Sequence, residues 1–281
     1  MPPSPPPADP ESRSSSESIG GRDLGQWRSA IGRLLLDVVL RVALLIARLA
    51  RWSLANVALT LTLIVGGTVA VLLTNAAGEV YEAVVAEDGV ARLDEPVLDA
   101  MVTLRSPGRD VWLTRFTDVG GTVGMPLLAT VAVVALALWW RRWTPVVLMA
   151  AAAAGSLLMT VTGKELTGRA RPPLELAVPP FESSPSFPSG HTLNATVVVG
   201  VLAYLLLIRL ASRRARLVVL LTAVGFVVAM GLSRVFLGHH WLSDVVAAWL
   251  IGLGWVAVVV TAHRVMITLG RVDPVRSRVT G

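Results

Sequence analysis

The chain has no cysteine among its 281 residues. It therefore has neither disulfide bonds nor metal sites built on thiolates. Lysine is almost absent as well, because Lys164 is the only one and the other 24 of the 25 basic side chains are arginine. An ammonium group is a compact charge with rotatable donors, which suits phosphate oxygens. The single lysine therefore indicates a phosphate-binding position.

Charged residues are also scarce, at 16% of the chain, whereas hydrophobic residues make up 54% and the mean hydropathy is +0.66. A soluble domain of this size is far more polar. Several apolar runs approach or exceed the roughly 20 residues that span a bilayer. The composition predicts an all-α, polytopic membrane protein with one membrane domain. The net charge of +6 gives no reason to infer a nucleic-acid partner, because basic residues in such a chain mainly set its topology.

The two ends of the chain differ from its middle. Residues 1–26 are rich in proline, serine and charge, which predicts a disordered tail. They lack the compact basic start and short apolar core of a signal peptide. Residues 264–281 are predicted to form a basic cytoplasmic tail.

Residues 27–54 are apolar but interrupted by charged side chains. At 100° per residue these side chains fall within one stripe about 80° wide. We expect an amphipathic helix lying at the cytoplasmic interface, with its arginines near anionic headgroups. An additional transmembrane helix is the alternative. The charged residues of the stripe are Arg33, Asp37, Arg41, Arg48 and Arg51.

Residues 55–263 are predicted to form a six-helix membrane domain. The predicted spans are residues 55–74, 124–140, 145–163, 192–209, 217–236 and 241–262. One or two short helices at the membrane surface are expected within 95–116.

The connections between the spans sort by charge. The arginine-rich turns 141–143 and 209–216 are predicted to be cytoplasmic. Six spans then place both termini inside the cell and place loops 75–123, 164–190 and 234–240 outside. Every polar cluster described next lies in or beside one of these outer loops, which predicts a single site on the extracytoplasmic side.

His240 and Asp244 are four residues apart, so they share one face at the start of the last span. A carboxylate in this position accepts the proton of one imidazole nitrogen and leaves the other nitrogen free to attack. His239 is five residues from Asp244 and is expected to point elsewhere. The spacing predicts His240 as a nucleophile, with a simple helix cap as the alternative.

Three cations accompany this pair: Lys164, Arg171 and Arg234. An arginine fork matches phosphate oxygens, and three cations near one point repel each other unless an anion binds between them. The alternative is that each side chain extends to lipid headgroups. Arg169 is ambiguous between a supporting and a surface position, and we assign it no role.

The string Pro188-Ser189-Gly190-His191 precedes the fourth span. Ser189 is suited to cap that helix, and Gly190 lets backbone N–H groups approach an anion closely. His191 is then expected beside the phosphate, where an imidazolium could protonate a leaving oxygen. Taken alone, this string is also compatible with a plain helix cap.

The combined spacing resembles the three-part signature of the type 2 phosphatidic acid phosphatase family. The matching residues are Lys164, Arg171-Pro172, Pro188 to His191, Ser233-Arg234, His240 and Asp244. The resemblance covers residues from about 95 to 262, with no departure at the signature positions.

This resemblance implies a phosphohistidine mechanism without metal or other cofactor. In it His240 attacks phosphorus, Asp244 orients it, and His191 protonates the leaving group and then helps to activate water. The phosphate-binding residues that it implies are Lys164, Arg171, Arg234, Ser189 and Gly190.

The predicted function is an integral-membrane phosphatase that acts on a lipid phosphate or lipid pyrophosphate at the extracytoplasmic face. Its predicted partners are this substrate and membrane lipids. Candidate substrates are an undecaprenyl-type pyrophosphate, phosphatidic acid and phosphatidylglycerol phosphate, and the sequence favours none of them. A lipid phosphotransferase and a non-catalytic lipid-phosphate binder or transporter are the alternatives. The pair His240 and Asp244 argues against the last, because binding needs only the cations. The sequence does not indicate an oligomeric state.

Overall fold

The computed structural model describes residues 18–19, 22–23 and 30–270. Two short strands, β1 (Ser18–Ile19) and β2 (Arg22–Asp23), pair antiparallel with Ser18 opposite Asp23. Apart from these four residues, the predicted disordered tail 1–26 lies outside the described part of the chain. Residues 271–281 of the predicted basic tail lie outside it as well.

Helix α1 (Ala30–Ala55) corresponds to the predicted interfacial helix. Asp37 and Arg41 form an ion pair at 2.8 Å one turn apart, as expected if both lie in the charged stripe. Apolar side chains such as Leu34 and Leu45 are exposed on this helix. Its position on a membrane surface stays a prediction.

The remaining helices lie within residues 57–270 and form the membrane unit. They are α2 (Val57–Ala86), α3 (Asp94–Thr103), α4 (Pro107–Asp118), α5 (Gly124–Trp140), α6 (Thr144–Thr167), α7 (Gly190–Leu207), α8 (Arg213–Phe236) and α9 (Leu242–Thr268). Two 3₁₀ helices, Gly89–Leu93 and Leu174–Leu176, lie in the connections.

Each predicted span corresponds to one helix of this unit, and the all-α membrane fold is confirmed. Within the described residues, five helices are long and apolar enough to cross a membrane: α2, α6, α7, α8 and α9. Helix α5 is apolar but has only 17 residues, so the count of six spans remains a prediction. Helix α2 continues to Ala86, well beyond the predicted end at residue 74, so the first part of the predicted outer loop is helical. Of the one or two short helices expected within 95–116, the structure has two, α3 and α4, and their position at the membrane surface stays a prediction.

Helix α7 occupies the centre of the unit and packs against α5, α6, α8 and α9. Its backbone comes close to α9, because a Cβ atom on Gly252 would lie 2.8 Å from Cβ of Thr196. Small residues permit this kind of approach between membrane helices. Hydrogen bonds also join neighbouring helices: Ser156 donates to Asn194 Oδ1 at 2.6 Å, and Trp255 donates to the carbonyl of Ala152 at 3.2 Å. The ends of α6 and α8 and the starts of α7 and α9 are thereby held at one end of the bundle.

The loops at this end are held together by Arg105, which follows α3. Its guanidinium donates to the carbonyl of Phe236 at 2.7 Å and to that of Leu176 at 2.6 Å. Gly238 has φ of +72°, and a Cβ there would lie 2.3 Å from the Leu176 carbonyl oxygen, so only glycine fits. This contact fixes the short segment that leads to His239 and His240.

Candidate active site

His240 and Asp244 lie at the start of α9 and are completely buried. The His240 Nδ1 atom is 3.3 Å from Asp244 Oδ2. The same carboxylate oxygen accepts the backbone N–H of Trp241 at 2.9 Å and the hydroxyl of Ser186. Several partners thus orient the carboxylate that faces the imidazole.

The second nitrogen of His240 faces a cation. His240 Nε2 is 3.3 Å from an Arg171 guanidinium nitrogen. Burial lowers the pKa of His240 to about 4, although the hydrogen bond with Asp244 opposes this effect. The ring is therefore neutral at pH 7. With its proton on the nitrogen facing Asp244, it has a lone pair on the nitrogen facing Arg171.

Arg169, for which the sequence indicates no definite role, bridges two buried carboxylates. One guanidinium nitrogen lies 2.5 Å from Asp244 Oδ1, and another lies 2.7 Å from Asp94 Oδ2. Asp94, at the start of α3, also accepts the backbone N–H of Ser243 at 2.8 Å and its hydroxyl at 2.6 Å. A chain of charged contacts therefore runs from α3 through Arg169 to the carboxylate beside His240.

The three predicted phosphate-binding cations come together near His240. Lys164, in the last turn of α6, donates to the Ser184 hydroxyl and the Pro185 carbonyl, both at 2.7 Å. Arg171 donates to the carbonyls of Ser184 at 2.7 Å and His239 at 2.5 Å. Arg234 is only 2% exposed and donates to Thr117 Oγ1 at 3.2 Å.

Glu182 places a carboxylate among these cations. It forms ion pairs with Arg171, at 2.7 Å, and with Arg234, and it lies 3.9 Å from His191 Nδ1. Burial would raise the pKa of this carboxyl, but the Arg234 and Arg171 guanidinium groups outweigh it and lower the pKa to about 2. Glu182 is therefore ionised at any physiological pH and marks the point on which the cations converge.

The Ser189-Gly190-His191 segment begins α7 beside this cluster. Ser189 is the N-cap residue, but its hydroxyl bonds to Thr192 Oγ1 at 2.9 Å rather than to a backbone amide. Its own N–H donates to the Asp244 carbonyl at 3.3 Å, which joins the starts of α7 and α9. The amides of the first helical residues have no intrahelical acceptor and suit an anion.

The structure thus brings all eight predicted site residues to one end of the bundle. They are His240, His191, Asp244, Lys164, Arg171, Ser189, Gly190 and Arg234. His239 turns away from Asp244, as predicted, and its Nε2 lies 2.6 Å from the Val178 carbonyl.

Sequence reasoning missed three side chains of this site: Asp94, Glu182 and Ser186. Arg169, two residues before Arg171, was left open between a supporting and a surface position, and the structure gives it the supporting position. Within residues 30–270, no group of three or more histidine or acidic side chains is placed to hold a metal ion.

Comparison with known proteins shows the family to which this chain belongs. The family model of the PAP2 superfamily matches residues 143–266, which span the site from α6 to α9. Phosphatidylglycerophosphatase B of Bacillus subtilis (strain 168) is 31% identical over 176 residues, covering 62% of this chain and 85% of that protein.

A solved structure is similar as well. The crystal structure of the first transmembrane PAP2 type phosphatidylglycerolphosphate phosphatase, from Bacillus subtilis, matches with a TM-score of 0.62 and 28% identity. The match covers 69% of this chain and 95% of that one.

This chain belongs to the PAP2 superfamily, and the family predicted from the signature residues is confirmed. It is a multi-pass membrane protein and a phosphatase of lipid phosphate esters.

Proposed function

We propose that this phosphatase hydrolyses its lipid substrate through a phosphohistidine on His240, at the extracytoplasmic face of the membrane. The proposal rests on the different surroundings of the two ring nitrogens of His240. One nitrogen faces the Asp244 carboxylate, and the other faces the cation cluster where a phosphate would lie. A purely structural histidine needs no such arrangement.

In the first step the Nε2 lone pair of His240 attacks phosphorus while the bond from phosphorus to the lipid oxygen breaks. The Nδ1 proton stays directed at Asp244, which stabilises the positive charge that develops on the ring. His191, which is protonated when the anionic phosphate is bound beside it, donates this proton to the leaving oxygen and becomes neutral, so the lipid departs as a neutral alcohol, or as a lipid phosphate if the substrate is a pyrophosphate.

In the second step water attacks phosphorus and breaks the P–N bond. His191 takes the proton of this water, and inorganic phosphate leaves with neutral His240 restored. Lys164, Arg171 and Arg234 hold the non-bridging oxygens throughout, where negative charge is concentrated.

The curated relative and the solved structure, both from Bacillus subtilis, carry the name of a phosphatase of phosphatidylglycerophosphate, so we propose this phosphomonoester as the first substrate to test. Phosphatidic acid and an undecaprenyl-type pyrophosphate complete the panel. The purified protein in detergent, with no acceptor alcohol added, should release inorganic phosphate from at least one of these lipids. Release that depends on an added acceptor would instead identify a phosphotransferase.

Replacing Glu182 with glutamine should strengthen the inhibition by inorganic phosphate about tenfold. The carboxylate competes with a phosphate for Arg171 and Arg234, and an amide competes far less because it has no charge. The measurement is the inhibition constant of phosphate at pH 7. Glu175→Gln, which neutralises an exposed acid in the same loop, is the control and should leave the constant unchanged. Weaker inhibition in the Glu182 variant would mean that Glu182 supports the arginines rather than competing for them.

The proposed sidedness can be tested because the chain has no cysteine of its own. A cysteine replacing the exposed Ser183, beside the site, should react with a membrane-impermeant thiol reagent in intact cells. A cysteine replacing the exposed Ala211, in the arginine-rich turn before α8, should react only after the membrane is opened; this position spares the helix cap made by Ser212. The reverse labelling pattern would place the site in the cytoplasm.

A further inference from the structure

A second polar cavity lies at the opposite end of the bundle from the candidate active site. It has a volume of about 520 Å³ and opens between the ends of α7, α8 and α9. Tyr204, Arg216 and Arg264 supply its polar lining, and Leu207, Leu220 and Ile267 are among its apolar lining residues. Arg264 follows Asp244 by 20 residues of continuous helix, which separates the two sites by about 30 Å. The cavity is therefore distinct from the catalytic cluster.

The charge in this cavity is positive and is not neutralised by the described residues. Neither Arg216 nor Arg264 forms an ion pair within residues 30–270. Segments 204–220 and 245–270, which line the cavity, contain no aspartate or glutamate. In contrast, Arg171 and Arg234 of the catalytic cluster form ion pairs with Glu182. Within residues 30–270, the second cavity thus has no counterpart of the carboxylate that Glu182 places at the active site.

Packing holds the polar lining in place. Arg216 Nε donates to the Leu210 carbonyl at 2.7 Å, which secures the base of its guanidinium. The Arg264 guanidinium lies 5.8 Å from the centre of the Tyr204 ring, and the Tyr204 hydroxyl lies 2.7 Å from Nδ1 of the buried His263. Two guanidinium groups with this support offer hydrogen-bond donors suited to phosphate oxygens.

An apolar surface leads away from the cavity along α8. Leu220 and Val224 follow Arg216 at intervals of four residues, so they continue its face toward the middle of the membrane. Their side chains are 45% and 59% exposed. A ligand with a phosphate group and hydrocarbon chains matches both the cavity and this surface, whereas a free phosphate ion matches only the cavity.

We propose that this cavity binds the phosphate headgroup of an anionic phospholipid, with an acyl chain lying along α8. Basic pockets between membrane helices recognise lipid headgroups in this way. The site is separate from catalysis, so its ligand can be a phosphodiester lipid such as phosphatidylglycerol.

The test uses the full-length chain with one cysteine introduced at Val224 and labelled with an environment-sensitive fluorophore. Phosphatidylglycerol with brominated acyl chains is titrated into the detergent-solubilised protein, and quenching of the fluorophore reports its binding. Half-quenching should occur at a concentration at least tenfold lower than for brominated phosphatidylcholine. Arg216→Gln with Arg264→Gln should weaken phosphatidylglycerol binding about 30-fold, since each arginine near a lipid phosphate contributes about a fivefold effect.

The matched control is Arg213→Gln with Arg214→Gln. It also removes two positive charges, but from exposed arginines of α8 that do not line the cavity. It should change the affinity less than twofold. An equal loss of phosphatidylglycerol affinity in the control would mean that only the overall positive charge at this end of the bundle attracts the lipid. Equal quenching by brominated phosphatidylglycerol and brominated phosphatidylcholine would overturn the proposed headgroup recognition. Displacement of the lipid by millimolar inorganic phosphate would identify a free-phosphate site instead. Phosphate release by the variant with Arg216→Gln and Arg264→Gln reports that this variant is folded. If its phosphate release is lost, the single variant Arg216→Gln becomes the test, and it should bind phosphatidylglycerol about fivefold more weakly than the unsubstituted protein.

Discussion

Replacing His240 with alanine should reduce the rate of phosphate release by about 10⁴-fold or more, while the protein stays folded and still binds a phosphate analogue. The substitution removes the proposed nucleophile but leaves Lys164, Arg171 and Arg234 in place, so only bond formation to phosphorus is lost. The rate should be measured with saturating substrate, and tungstate binding should be measured separately by calorimetry.

His239→Ala is the matched control for this experiment. His239 is the adjacent histidine and is also buried, but its Nε2 bonds to the Val178 carbonyl instead of facing Asp244. Its removal should be far milder, and this variant should still incorporate acid-labile phosphate from labelled substrate, whereas the His240 variant should incorporate none. An inactive His239 variant beside an active His240 variant would show that the proposed nucleophile is wrong.

Replacing Arg169 with glutamine should lower kcat about 100-fold and change KM little. Arg169 touches the two carboxylates of Asp94 and Asp244 rather than the cation cluster, so its expected role is to position Asp244 and through it His240. A small misplacement of reacting groups costs about this much in rate. Loss of the guanidinium also leaves two buried carboxylates without their counter-ion, which should destabilise the fold by about 3 kcal/mol.

The separate values of kcat and KM, rather than their ratio, distinguish a positioning role from a role in substrate binding. Arg169→Lys keeps the charge, but a single ammonium cannot reproduce the planar fork that joins both carboxylates. This variant should regain part of the stability and little of kcat. Arg92→Gln is the control, because Arg92 is exposed and lines the same surface cavity as Arg169. A raised KM with unchanged kcat in the glutamine variant would mean that Arg169 contacts the substrate directly.

The fluorescence test of the second cavity is independent of both experiments. A catalytically dead His240 variant should still bind phosphatidylglycerol at Arg216 and Arg264, and loss of lipid binding at that cavity would leave the proposed phosphohistidine untouched.

The membrane helices and most of the site residues could be predicted from the sequence. A backbone in lipid must satisfy its own hydrogen bonds, so long apolar runs form helices whatever their neighbours do. The pair His240 and Asp244 was predictable for a similar reason, because side chains four residues apart meet on one helical face. Lys164 and Arg234 lie at helix ends where charge is rare, which made them conspicuous.

The supporting residues were decided only by the tertiary structure. Asp94 reaches Ser243 across 149 residues of sequence, and no local pattern links α3 to the start of α9. Glu182 and Ser186 lie in an irregular loop without periodicity, so the directions of their side chains depend on how that loop packs against α8 and α9. The end of α2 at Ala86 was not predicted either. Hydropathy detects the apolar part of a helix that spans the bilayer, and it does not detect polar helical turns that continue beyond the membrane. Sequence therefore determined the helices and the reactive side chains, whereas the long-range contacts that orient those side chains arose only when separate helices and loops packed together.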